Sequence, residues 1–358
     1  MLHKNIFICY NSTKRQVITI KGISNTLLQD SPLPALDDWA CDMITPYSGS
    51  DRKEGLISPD GQRYLVKYSE SHARLNHLDT SYVNNVLSEY LSSHILAIAG
   101  FQVHDTFLAT RNGQLLVACR NFTSSHQYLI EFGQYMRKHY DSGDIGRIPD
   151  IRQIDYVIHN DPVLYSYADE LWEIYWERFL GDALTGNFDR HMGNWGYLTD
   201  TLSEKIYAAP IYDNGSTLFP ALSEQAMRED ILPSRKEIMK RTLLFPKAAL
   251  LVNGRKASYL DMLSSGCFPY VTKAVTKTVP AIADKMPQIM QFIDSQDFLS
   301  ETRKTFYKTI LRSRTENILI PAYERCISGN FNQEAQKRIE SGKDYTEQDF
   351  ERQYENIS

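Results

Sequence analysis

Apolar and polar positions follow one rhythm over roughly the first third of the chain and another afterwards. "NIFICYN" and "RQVITIKG" read as two strands joined by a polar turn. "LLQDSPLPALDDWACD" is punctuated by Pro and Asp and is predicted to be irregular. "GLISPDGQRYLVKYSE" predicts a hairpin, because apolar runs flank a Pro-Asp-Gly turn. A helix follows from about Tyr82 to Ala99. Its Val83, Val86, Leu87, Leu91, Ile95 and Ile98 recur at three- and four-residue spacing, and Gly100 is a stop signal. "QVHDTFLATRNGQLLVACRNF" predicts two more strands around Asn-Gly. Beyond Phe122 the pattern turns helical. "ADELWEIYWERFLGDAL" carries Trp172, Tyr175, Trp176, Phe179, Leu180 and Ala183 as a wide apolar stripe, read as core rather than as a stacking platform. From about Ser234 onward the chain is predicted to be mostly helical. Its polar tail is expected to be partly frayed, with "KDYTEQDFERQYE" a solvated helix. No internal repeat interrupts this. The expected class is α+β: residues 1–122 form a small β-rich lobe with one main helix, and residues 123–358 form a larger, mostly helical lobe. The seam near Arg120–Ser125 would border a ligand cleft.

Composition narrows the function without choosing it. The 358 residues carry a net charge of -5 and a pI near 6.0, which argues against direct nucleic-acid binding and against an anionic membrane. No apolar run approaches the roughly 18 residues of a membrane span. The first residues lack the features of a signal peptide, so a cytoplasmic location is expected, with non-classical secretion left open. The five cysteines (9, 41, 119, 267 and 326) are scattered and form no CxxC, as in a reducing compartment without disulfides or zinc.

Two segments concentrate polar groups between apolar flanks. "LTGNFDRHMGNWGYL" (184–198) holds Asn187, Asp189, Arg190, His191 and Asn194. "APIYDNGSTLFP" (209–220) places Asp213 after an apolar run. The residues between them predict one hairpin, which would return Asp213 to the side of Asn194. Phosphoryl transfer needs a carboxylate to orient a hydroxyl and hard oxygen ligands for magnesium. The protein-kinase catalytic loop separates its base Asp from its metal-binding Asn by the same interval as Asp189 and Asn194, and a later Asp completes the metal site. The bland alternative is that these are turn and cap residues. A zinc site built on His191 lacks the paired His or Cys spacing that zinc prefers.

The order Asp189-Arg190-His191 inverts the H-R-D order of ordinary protein kinases, and "YDNG" stands in place of D-F-G. Together with "LSEYLSSHIL", "LLVACRNFT", "GNFDRHMGNWGYL" and "APIYDNGSTLFP", this order resembles the HipA-like serine/threonine kinases, in particular their short single-polypeptide members. The resemblance runs from about Pro46 to Pro246. It implies a two-lobed protein-kinase-like fold and a serine/threonine kinase that uses ATP and Mg2+. It casts Asp189 as the base and Asn194 and Asp213 as metal ligands. Lys67 of "YLVKY" would reach the ATP phosphates, and Glu89 on the following helix would orient Lys67; their bland readings are a solvated strand end and an exposed helical position. Backbone groups of Val117–Phe122, including Ala118 and Arg120, would hold the adenine. Arg190 would position Asp189 or a phosphate, and His191 would brace the loop. Thr45–Gly55 falls at the phosphate loop but has only Gly49 and Gly55. Its Ser48 and Ser50 are candidates for autophosphorylation, or simply loop serines. The implied partners are a protein substrate and, if the chain is a toxin, a DNA-binding antitoxin. Two alternatives accompany this reading. One is a kinase-like module that binds nucleotide or a partner without turnover. The other is a small-molecule kinase whose acceptor pocket uses the acids of "SEQAMRED" (223–230).

Overall fold

The antiparallel hairpins expected in the first third build a five-stranded sheet. A computed structural model of the protein describes residues 33–43, 53–68, 85–141 and 143–355, and the elements below all belong to the unit Pro34–Ser358. The two strands expected in "NIFICYN" and "RQVITIKG", and the serines Ser48 and Ser50, lie outside the described residues. The sheet comprises β1 (Ala40–Cys41), β2 (Lys53–Ile57), β3 (Arg63–Tyr68), β4 (Thr106–Arg111) and β5 (Gln114–Arg120), in the order β1-β2-β3-β5-β4. The β4–β5 turn has Asn112 and Gly113 at φ 50° and 71°, the doubly positive pair that a tight two-residue hairpin demands.

Alternation along the strands sorts the two faces of this sheet. Leu56, Val66, Tyr68, Ala109, Leu116 and Ala118 pack on one side with Leu36. Leu108, Val117 and Cys119 pack on the other against Val86 of helix α1 (Asn85–Ile98). Helix α1 buries a polar stripe beside its apolar one: Ser88, Glu89, Ser92 and Ser93 all face inward. The expected helix is therefore present, but Glu89 is wholly buried rather than exposed beside the stripe.

After Arg120 the chain changes partners. β6 (Gln127–Glu131) leaves the first sheet and pairs with β7 (Gly196–Asp200), which pairs with β8 (Ile206–Ala208). Helix α2 (Phe132–His139) packs on β6 and β7, α4 (Ala168–Thr185) packs on β8, and α3 (Ile151–Asn160) packs on α2 and α4. β6 passes so close to the start of β7 that a Cβ at Gly196 would lie 2.2 Å from the Ile130 carbonyl oxygen. A glycine is thus required directly after the polar loop. The tryptophan stripe of α4 is core as expected, with Trp172 and Trp176 at 4% and 1% exposure.

The last third adds a short hairpin, β9 (Leu251–Val252) with β10 (Arg255–Lys256), and helices α5 (Tyr259–Ser264), α6 (Pro269–Asp294), α7 (Glu301–Arg314), α8 (Ile320–Ser328), α9 (Gln333–Ser341) and α10 (Glu347–Glu355). The polar tail is not frayed through residue 355. Ile339, Tyr345 and Phe350 join the main core, and Arg338 donates to both oxygens of buried Asp261 at 2.9 and 2.7 Å. A few apolar anchors are enough to dock two helices whose remaining residues are solvated. Phe350→Ala is expected to cost about 3–5 kcal/mol. Denaturant unfolding would measure this, and a change below about 1 kcal/mol would place the tail outside the core.

Candidate active site

The site is assembled from α1, β3 and the two polar segments. Lys67 and Val117 are register partners in β3 and β5, and Lys67 projects from the face that meets α1. Its ammonium donates to Glu89 Oε2 at 2.7 Å and to Asp213 Oδ1 at 2.8 Å. Glu89 Oε1 accepts from the Asn214 amide at 2.9 Å and from His104 Nε2 at 3.0 Å. That pairing requires the His104 tautomer with its proton on Nε2. Burial pushes the Glu89 carboxyl up, but Lys67 and His104 override it and hold the group well below the usual carboxylate range. For Lys67, burial opposes the charge, yet Asp213 and Glu89 keep the ammonium firmly protonated.

Asp213 reaches Lys67 because the chain before it is stitched to the small lobe. The His104 amide donates to the Ile211 carbonyl at 3.0 Å, and the Ile211 amide donates to Gln102 at 2.8 Å. Asp213 itself has φ 59°, a left-handed conformation that a non-glycine residue adopts at a cost. That backbone turn aims the Asn214 amide at Glu89 while the Asp213 carboxylate stays 41% exposed.

Arg190 explains how the two polar segments meet. It is buried, and its Nε and Nη2 form a fork on Asp182 at 3.1 and 2.9 Å. Nη1 donates to the carbonyls of Asn194 at 3.0 Å and Asp213 at 3.3 Å, and also to that of Tyr212. Nη2 further reaches Asn214 Oδ1 at 2.7 Å. One guanidinium therefore fastens the Asp189–Asn194 loop to the Asp213 loop from behind. Its donors go to Asp182, the Asn214 side chain and backbone carbonyls, and none goes to the Asp189 carboxylate, so any positioning of Asp189 acts through the loop backbone. Within the same loop, His191 Nδ1 accepts the Gly193 amide at 3.0 Å.

Asn194 Nδ2 donates to the Asp189 carbonyl at 2.9 Å, which leaves Asn194 Oδ1 without a protein donor among the described residues. Asp213 Oδ2 is free in the same sense. These are hard oxygen donors, and a magnesium ion fits that chemistry. The Asp189 amide is anchored on Asn187 Oδ1 at 3.0 Å, and its carboxylate accepts from Arg147 Nη2 at 2.9 and 2.8 Å.

The adenine candidates divide. Ala118 belongs to a central strand whose backbone is committed to its neighbours, and its methyl lies on the face opposite Lys67. The Arg120 amide is bonded to the Asp105 carbonyl at 2.9 Å, and its exposed guanidinium pairs with Asp105 and Gln62. Cys119, one residue away, does share the Lys67 face; burial pushes its thiol up, so it stays neutral. The sequence reading missed His104, Asn214, Asp182 and Arg147. Only Asp182 carried a local hint, a carboxylate inside an otherwise apolar helix face.

A Lys–Glu pair in a small β lobe, joined to an Asp/Asn loop and a second Asp in a helical lobe, defines a protein kinase fold. Comparison with known proteins gives its family. The chain is 30% identical over 300 residues to the serine/threonine-protein kinase CtkA of Helicobacter pylori, covering 82% of this chain and 90% of that one. The crystal structure of the H. pylori proinflammatory kinase CtkA superposes with a TM-score of 0.75 at 29% identity, over 84% of this chain and all of that one. HipA of Shewanella oneidensis, solved with HipB and operator DNA, aligns at a TM-score of 0.49 and 16% identity, over 79% of this chain and 67% of that one. No family model matches the chain. The chain belongs to the CtkA-type serine/threonine-protein kinases. No helix among the described residues is long and apolar enough to cross a membrane.

Proposed function

We propose that this kinase transfers the γ-phosphoryl group of Mg-ATP to serine or threonine hydroxyls of a protein, with Asp189 as base and Lys67 as the phosphate-holding cation. The observation that carries the reading is the bonded set Glu89–Lys67–Asp213, fastened by Arg190 to Asn194. Lys67 steadies the nucleotide phosphates, and Glu89 holds Lys67 in place. Asn194 and Asp213 would hold magnesium, which when bound neutralises charge on the phosphates. Asp189 orients the acceptor hydroxyl and takes its proton as the acceptor oxygen bonds to phosphorus. The bond from that phosphorus to the bridging oxygen breaks, and ADP leaves.

Autophosphorylation at Ser48 or Ser50 is part of the same proposal. A phosphate there would add about -1.5 to -2 charge beside the nucleotide and weaken its binding. Intact mass and phosphosite mapping after incubation with Mg-ATP, beside Asp213→Asn, tests both points. A phosphate on Ser48 or Ser50 in the wild type alone is the expected result. Nucleotide-dependent thermal stabilisation without phosphate transfer to self, to myelin basic protein or to an aminoglycoside would favour a binding module instead. A toxin role with a DNA-binding antitoxin rests on the family resemblance. It predicts growth arrest on expression of the wild type and none with Asp213→Asn.

A further inference from the structure

We propose that Arg147 is a catalytic cation of this kinase, held on the Asp189 carboxylate so that it can pass to the phosphoryl group as that group reaches the acceptor. The inference rests on the reading of Asp189 as the base. Arg147 lies outside both polar motifs, on the segment that joins α2 to α3. Its Nη2 sits 2.9 and 2.8 Å from the two Asp189 oxygens, while its side chain remains 69% exposed.

The segment that carries it is anchored. Asp150 caps α3 through the Arg152 amide and accepts from the Gly254 amide at 3.1 Å. The Pro149 carbonyl takes the Leu251 amide at 2.9 Å, and Gln153 Nε2 reaches back to the Asp144 carbonyl at 3.2 Å. The chain is thus tied down on both sides of Arg147, and its guanidinium is presented to the solvent side of the base from a fixed backbone.

Charge accounting shows why such a group is needed. Negative charge spreads over the transferred phosphoryl oxygens, and cations placed there supply much of the catalysis. Lys67 is bound to Glu89 and Asp213 on the nucleotide side. Arg190 has its donors spent on Asp182, Asn214 and backbone carbonyls. The His191 ring is disfavoured as a cation by burial, although Asp189 opposes this. Arg147 is the cation that touches Asp189, and its Nε and Nη1 have no partner among the described residues.

An acceptor hydroxyl must come within about 2.6–3.2 Å of an Asp189 oxygen. It can do so when Nη2 yields one of its two contacts. The released edge then faces the phosphoryl oxygens, where the guanidinium fork suits them. Arg147 exchanges hydrogen bonds only. The hydroxyl proton goes to Asp189, the phosphoryl group goes to the acceptor oxygen, and Arg147 keeps its charge throughout.

The test measures ADP release and phosphate transfer to myelin basic protein with wild type, Arg147→Ala and Arg147→Lys, with melting temperature as a control for folding. Arg147→Ala is expected to lower kcat by roughly 10²-fold with little change in the KM for ATP. Arg147→Lys should regain part of the loss. Added guanidinium ion at millimolar levels should partly rescue the alanine variant, because the position is open to solvent; a purely structural arginine would not respond. An unchanged or faster Arg147→Ala would overturn the proposal and identify the contact as a cap that shuts the base. Asp189→Asn at full rate would remove the base itself and the proposal with it, as would a wild type that releases no ADP.

Discussion

Asp213→Asn is expected to abolish phosphoryl transfer, and Asp189→Asn to lower kcat by roughly 10²–10⁴-fold. The two substitutions act differently. In Asp213→Asn the amide oxygen can still accept from Lys67, but the amide nitrogen replaces the free carboxylate oxygen that would hold magnesium, and one negative charge is lost beside the ammonium. The expected signature is a lost transfer rate together with weaker stabilisation by Mg-nucleotide. Asp189→Asn keeps the backbone carbonyl that fixes Asn194 Nδ2 at 2.9 Å, so the loop and the oxygens proposed to hold magnesium stay in place. Nucleotide stabilisation should survive while transfer fails. Initial rates with radiolabelled ATP, measured beside nucleotide-dependent melting shifts, separate the two. Full activity in either variant would sink the corresponding assignment.

Arg190→Leu is expected to be the most damaging substitution behind the site. It strands Asp182, whose side chain is 4% exposed, and removes the donor shared by the Asn194, Tyr212 and Asp213 carbonyls. Breaking a buried ion pair by deleting one partner costs about 3–5 kcal/mol. Arg190→Lys should rescue little, because a point charge cannot cover a carboxylate and several backbone carbonyls in one plane. Denaturant unfolding and phosphotransfer should fall together. An Arg190→Lys protein with wild-type stability and rate would show that the two loops are joined by something other than this guanidinium.

Backbone positioning by Arg190 carries the site together with the motif carboxylates. Asn214 illustrates this. Its side chain bridges Arg190 Nη2 at 2.7 Å and Ser93 at 3.0 Å, and its amide feeds Glu89, so one residue couples the helix of the small lobe to the Asp189–Asn194 loop. The inward polar stripe of α1 is the complementary half of that joint. Buried polar groups are expensive unless they find partners; here His104 reaches both Glu89 and Ser93, and Ser92 bonds Thr217, while Ser88 Oγ has no partner among the described residues.

The local sequence by itself determined the hairpins around Pro-Asp-Gly and Asn-Gly, the amphipathic helices α1 and α4 and the change of pattern after Phe122. Turn chemistry and hydrophobic period are short-range properties, and they survive whatever the rest of the chain does. Spacing along the chain also marked Asp189, Asn194 and Asp213 as one chemical set, to which the family resemblance added Lys67 and Glu89. Tertiary structure alone decided three other things. Ala118 lies on the sheet face opposite Lys67, because α1 packs against the other face of β5 and Leu36 against this one. Arg190 points inward, because its Asp182 partner comes from a different element. Arg147 meets Asp189, because the segment carrying it is tied to α3 and to the loop of a distant hairpin. Each of these depends on contacts between residues far apart in sequence, where local pattern carries no information about which side chains will meet.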